Sequence, residues 1–128
     1  MTKSGPIDVR AVLQGLRFFA ERTPESIEQG PEDFYARVAD YRNGGVFVSH
    51  FAGAGEWERH PHGDELVMVM EGEADVFLLE EGQERRESLK PGELIVVPEN
   101  TWHRFETPGV KIMTVTPRPT DHSIERPE

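Results

Sequence analysis

Five histidines occur in the chain, and three of them stand where they could act together. His60 and His62 are one residue apart, Glu65 follows at the head of the run ELVMVM, and His103 lies in PENTWHRF. Neutral imidazoles and a carboxylate are donors for borderline divalent ions. Three nitrogens and one oxygen suit Fe(II), Mn(II), Ni(II) or Zn(II), with positions left for water or a bidentate substrate. The expected cofactor is therefore one divalent transition metal, held by His60, His62, Glu65 and His103. The competing reading is a solvated turn: Pro61 and Gly63 flank His62, and Glu65 is then only an edge-strand charge. The joint pattern, with Trp57 and Trp102 close to the histidines, is what favours a site.

Geometry has to bring these groups together. On a strand, residues two apart share a face, so His60 and His62 can point the same way. Gly63-Asp64 suits the centre of a two-residue hairpin. That turn makes His62 and Glu65 cross-strand neighbours, with β-carbons ~5 Å apart. His103 comes from a distant strand, which only a closed barrel delivers. His50 shares a face with Val46 and Val48 in VFVSHF, and with Trp57, Val67 and Trp102 it is expected to line a pocket. A satisfied structural histidine and tryptophans in a core or an interface are the alternatives.

The elements follow from periodicity and punctuation. Asp8 is a plausible N-cap, and Val9, Val12, Leu13, Leu16 and Phe19 recur at helical spacing, up to a stop at Thr23-Pro24. After the polar connector TPESIEQGPED the texture becomes short apolar runs between turns. FYARVADY and VFVSHF flank the hairpin signal Asn43-Gly44-Gly45. EWERH, ELVMVMEG, EADVFLLEE, QERRESL, ELIVVP, HRFET and VKIMTVTP follow, for about eight or nine strands in an antiparallel sandwich or barrel. The polar tail RPTDHSIERPE reads as an extended strap or a partly disordered end.

With these residues in place, the chain resembles the cupin superfamily of small double-stranded β-helix barrels. The second family motif, Gly-x5-Pro-x-Gly-x2-His-x3-Asn, fits at Gly92, Pro98 and His103, with Asn100 and Thr107 replacing the glycine and asparagine. The first, Gly-x5-His-x-His-x3,4-Glu-x6-Gly, fits at Gly53, Glu65 and Gly72 but puts Arg59 and Pro61 in the histidine slots. Two registers are open. A shortened turn at Gly63-Asp64 restores His60 and His62 to the interior; the ordinary register turns Arg59 inward instead. The resemblance implies an all-β, jelly-roll-like cupin barrel over 34–117, an N-terminal helical extension over 1–33 and a tail over 118–128. It also implies the ligand set His60, His62, Glu65 and His103.

The bulk numbers bound the remaining classes. A chain of 128 residues is one domain. A net charge of -10 repels phosphate backbones and anionic lipid, so neither nucleic acid nor membrane is an expected partner. No run approaches the ~20 apolar residues of a spanning helix, and MTKSGPIDVR lacks a signal-peptide core, so a cytoplasmic location is expected by default. Without cysteine, disulfides are excluded. ELVMVMEG is apolar on both strand faces and must be covered on both, by the helix or by a second copy; a homodimer is expected. The function classes left are a metal-dependent enzyme on an oxygen-rich small molecule (dioxygenase, isomerase or lyase chemistry), a non-catalytic binder of a sugar or aromatic acid, and a stress or storage protein.

Overall fold

The computed structural model describes residues 5–27 and 33–127. Positions 1–4, 28–32 and 128, which belong to the expected extension, connector and tail, lie outside the described residues. The helix α1 spans Val9–Gln14, and the Asp8 side chain accepts from the Ala11 N–H at 3.0 Å, the N-cap bond its sequence suggests. The helix ends earlier than its periodicity indicates. Leu16 and Phe19 continue the spacing, but Phe19–Arg22 forms the strand β1, parallel to a later strand. Tertiary pairing overrides local propensity here.

Eight more strands follow: β2 Tyr35–Tyr41, β3 Gly44–Ala54, β4 Trp57–Arg59, β5 Glu65–Glu80, β6 Gln83–Leu89, β7 Leu94–Val97, β8 Trp102–Pro117 and β9 Asp121–Ser123. The count matches the turn punctuation, although two expected turns are not turns. ELVMVMEG and EADVFLLEE fuse into the 16-residue β5, and HRFET and VKIMTVTP fuse into the 16-residue β8. These two strands pair along most of their length and run through both layers of the barrel. In one half β7, β5, β8 and β3 lie side by side, with β1 and β2 beyond; in the other, β6, β5, β8, β4 and β9.

The fused strands bend at Gly72 and Gly109. Gly72 has φ +78, and a β-carbon there would lie 2.1 Å from the Gly109 carbonyl oxygen, so no side chain fits. Register shifts on either side of Gly72 swap the inward face of β5 from Glu65, Val67 and Val69 to Ala74, Val76 and Leu78. The apolar ones among them, with Phe51, Leu89, Val97, Val110 and Ile112, form the core. Outward, α1 packs on β3 and β2. Among the described residues no helix is long and apolar enough to cross a membrane.

Candidate metal centre

β4 and β8 deliver the first part of the site. Glu58 pairs directly opposite His103, and His60 follows two residues on, with its side chain turned inward like that of Glu58. Glu65 enters from the start of β5. The side chains of Glu58, His60, Glu65 and His103 converge: each offers a donor atom, all lying within 4.8 Å of one another. His60, Glu65 and His103 are buried, at 2%, 4% and 0% exposure. Glu58 opens onto a cavity.

Neighbours fix the orientation of each donor. His103 Nδ1 donates to the Thr101 carbonyl at 3.0 Å, which leaves Nε2 facing Glu65 Oε1 at 3.0 Å. Glu65 Oε2 accepts from the Thr116 hydroxyl at 2.7 Å. His60 Nδ1 lies 2.9 Å from Thr120 Oγ1 in the tail. His60 Nε2 stands 3.3 Å from Glu65 Oε2 and 3.9 Å from Glu58 Oε2, yet makes no hydrogen bond. Burial would raise the Glu65 carboxyl, but the hydrogen bond and charge of His103 outweigh it and hold it well below the usual carboxylate range. Burial, then the charges of Glu56 and Glu65, push Glu58 up to about 8. Burial lowers His103, but the hydrogen bond and charge of Glu65 outweigh it and the net shift is upward. A concave site that strains carboxylates in opposite directions is a functional candidate.

Three of the four expected ligands lie side by side. His60, Glu65 and His103 come together; His62 does not. His62 is exposed in the 61–64 turn, outside the cluster. The reason lies in Gly63-Asp64, which forms no hairpin: β4 pairs with β8 and β9 rather than with β5. Asp64 Oδ1 instead accepts from the Glu99 N–H at 2.7 Å, tying the turn to the loop before β8. Arg59 does not enter the lumen either; it faces outward, bonding Asp121 at 2.7 Å and lying 4.7 Å over the Trp102 ring. Both anticipated registers are therefore replaced by a third. Glu58-x-His60-x4-Glu65 occupies the His-x-His-x3,4-Glu positions, and only the spacing from Gly53 is one residue short. Alternation of Glu58 with His60 was the available signal.

The expected pocket residues also lie elsewhere. A cavity of about 600 Å³ opens onto Glu58 and Glu65, and Phe47, Ser49 and Phe51 line it from β3. His50, on the opposite face, stacks on Phe18 at 4.6 Å, and its basicity is lowered by burial and Lys111. Val67 belongs to the solid core. Trp57 is buried with Arg104 over its ring, and Trp102 carries Arg59. The cavity wall is built instead by Phe19, Arg22, Phe34, Phe105, Thr114 and Thr116, among others.

A family model described as a cupin domain matches residues 47–116. The chain belongs to the cupin family. The cupin resembles NMB1881 from Neisseria meningitidis (TM-score 0.66, 16% identity, covering 89% of this chain and 100% of that one). It also resembles a cupin-2 domain protein from Shewanella frigidimarina NCIMB 400 (TM-score 0.58, 25% identity, 66% and 79% covered). A third similar structure is hydroquinone 1,2-dioxygenase PnpCD in complex with Cd2+ and 4-hydroxybenzonitrile (TM-score 0.60, 22% identity, 74% and 70% covered). No curated protein matches the chain at a significant level.

Proposed function

We propose that this cupin holds one divalent transition metal through Glu58, His60, Glu65 and His103, and that it binds and transforms an oxygen-bearing small molecule in the adjoining cavity. The single observation that carries this is His60 Nε2, a buried nitrogen without a hydrogen-bond partner, aimed at two carboxylates beside a second imidazole. When His60 donates through Nδ1 to Thr120, Nε2 is a lone pair facing anions. A cation placed among them makes that arrangement favourable. Two neutral imidazoles and two carboxylates balance a divalent charge, and the second carboxylate in place of a third imidazole shifts the preference toward Fe(II) or Mn(II). Such a metal polarises a substrate oxygen or offers open positions to O2, the chemistry of dioxygenases, isomerases and lyases.

The chain's own groups do the remaining work. The Thr101 carbonyl fixes the His103 tautomer, Thr120 holds the His60 ring and Thr116 orients Glu65, contacts that keep the donors from rotating away. Glu58 lines the cavity as well as the cluster, so as a ligating carboxylate it ties the metal position to the space a small molecule occupies. The phenylalanine wall gives a bound ligand an apolar surface to pack against. The similar dioxygenase, crystallised with Cd2+ and a phenol, supports this reading by analogy of fold.

A metal-free binding cupin is the competing reading, favoured by the His103–Glu65 hydrogen bond, which needs no ion. Metal analysis separates the two. Gently purified protein is expected to carry close to one transition metal per chain, removed by chelator and absent from a His60→Ala, His103→Ala double variant, while His62→Ala keeps it. Full metal content in the double variant would sink the assignment. We further propose that two copies associate through the outer face of β5, β7 and β8.

A further inference from the structure

We propose that Arg22 is a specificity-determining residue that receives the anionic group of an aromatic acid bound in the cavity. The proposal deepens the reading above and rests on it only in that the same cavity opens onto Glu58 and Glu65. Five of the chain's seven phenylalanines, Phe19, Phe34, Phe47, Phe51 and Phe105, line this space. Several meet edge to face, with Phe19 and Phe34 centroids 5.2 Å apart. Such walls favour a flat apolar body. The remaining lining is largely polar, with hydroxyls and the carboxylates of Glu56, Glu58 and Glu65, and Arg22 is its one arginine.

Arg22 is the guanidinium in that wall. Its Cζ lies 4.6 Å from the Phe51 ring centroid and 5.5 Å from that of Phe34, stacking that holds the fork in place. Its side chain is only 15% exposed. Nη2 bonds Glu56 Oε1 at 3.2 Å, while His122 Nδ1 takes the other oxygen, Oε2, at 3.0 Å. Glu56 is thus shared between two partners, and Arg22 keeps Nε and Nη1 without a hydrogen bond among the described residues. A planar fork with spare donors, set in a wall of phenylalanines, matches a carboxylate.

The run Gly53-Ala54-Gly55 makes the seat. A β-carbon at Gly53 (φ +110) would lie 2.1 Å from the Arg22 carbonyl oxygen, and one at Gly55 would lie 3.2 Å from the guanidinium carbon. A side chain at Gly53 would push β1, and Arg22 with it, off the barrel, and one at Gly55 would press on the guanidinium and shift it by a few tenths of an ångström.

Calorimetric titration of the metal-loaded protein with benzoate and its neutral isostere benzamide tests this. Benzoate is expected to bind at least about tenfold more tightly, as a charge-assisted bond worth ~1.5–3 kcal/mol requires. Arg22→Met should reduce benzoate to the benzamide level and leave benzamide within about twofold. Arg22→Lys, which keeps the charge and loses the fork, should fall between and carries the test if the first variant does not fold. Equal binding of the two probes, no benzoate binding at millimolar concentration, or an equal loss of both probes in the variants would overturn the proposal. The same titration after chelation keeps the two readings apart. A benzoate preference that vanishes with the metal and ignores Arg22 overturns only the role of Arg22. An Arg22-dependent preference in protein that never held metal supports Arg22 and sinks the metal centre.

Discussion

At the scale of residues, the decisive group is Glu58, which stands where a histidine is expected. Its carboxyl and the His103 imidazole both hold protons in the metal-free fold that the unfolded chain has released. Glu58 is raised from 4.5 to about 8, by burial first and then by Glu56 and Glu65. His103 is raised from 6.5 because Glu65 outweighs burial. The folded state therefore binds more protons, and its stability falls as pH rises through the folded values. Glu65 and Glu56 shift downward, so their contributions are lost only as pH falls below 4.5, outside this window. The melting temperature of chelator-treated protein is expected to decline from about pH 4.5 to 8, as Glu58 loses its extra proton, with His103 adding to the decline above 6.5. Metal-loaded protein, its donors already deprotonated, should lack that decline. A flat profile after chelation would contradict the charge assignment. Metal uptake offers an independent check: Glu58→Gln should weaken it, since a neutral amide cannot replace a charged oxygen donor, and equilibrium dialysis reads the difference.

At the scale of elements, the site depends on two bent strands and a strap. β5 supplies both Glu65 and the core only because its inward face switches at Gly72. Gly72→Ala combines a positive φ with a backbone clash, and we expect a loss of about 3 kcal/mol, seen as a melting temperature lower by roughly 10 °C. The tail contributes more than its polar composition suggests. β9 pairs with β4, Asp121 anchors Arg59, and Thr120 meets His60. Thr120→Val keeps the shape and removes the hydrogen bond that holds the His60 ring; metal affinity should fall about 10- to 100-fold with little change in melting temperature of the apo protein. Unchanged affinity would show that Thr120 is a bystander.

At the scale of the whole molecule, one sheet face is left apolar. Leu66 lies between Val96 and Val115, and Met68 between Leu94 and Met113, on adjacent strands. Leu94 and Val96 are 52% and 49% exposed. An unbroken apolar patch across three strands is the surface on which the proposed dimer rests, and α1 covers β2 and β3 rather than this face. A dimer by light scattering at micromolar concentration, dissociated by Leu94→Glu with Val96→Glu, is the expected outcome. A monomeric parent protein would refute it.

Much of this was legible in the residues alone. Alternating apolar runs with regular turns declared an antiparallel barrel, and the Gly92–Pro98–His103 spacing marked its family. His60, Glu65 and His103 were recognisable because their chemistry is rare on a strand and their spacing regular. What only the tertiary structure decided was which way each side chain faces. A strand's alternation makes a one-residue error invert every assignment, and the partner of β4 settled it: pairing with β8 and β9, not β5, exchanged His62 for Glu58 and turned Arg59 outward. Arg22, Thr116 and Thr120 carried no local signal at all. They reach the site through contacts across 34 to 60 residues of chain, and such contacts follow from how the barrel closes rather than from any neighbouring residue.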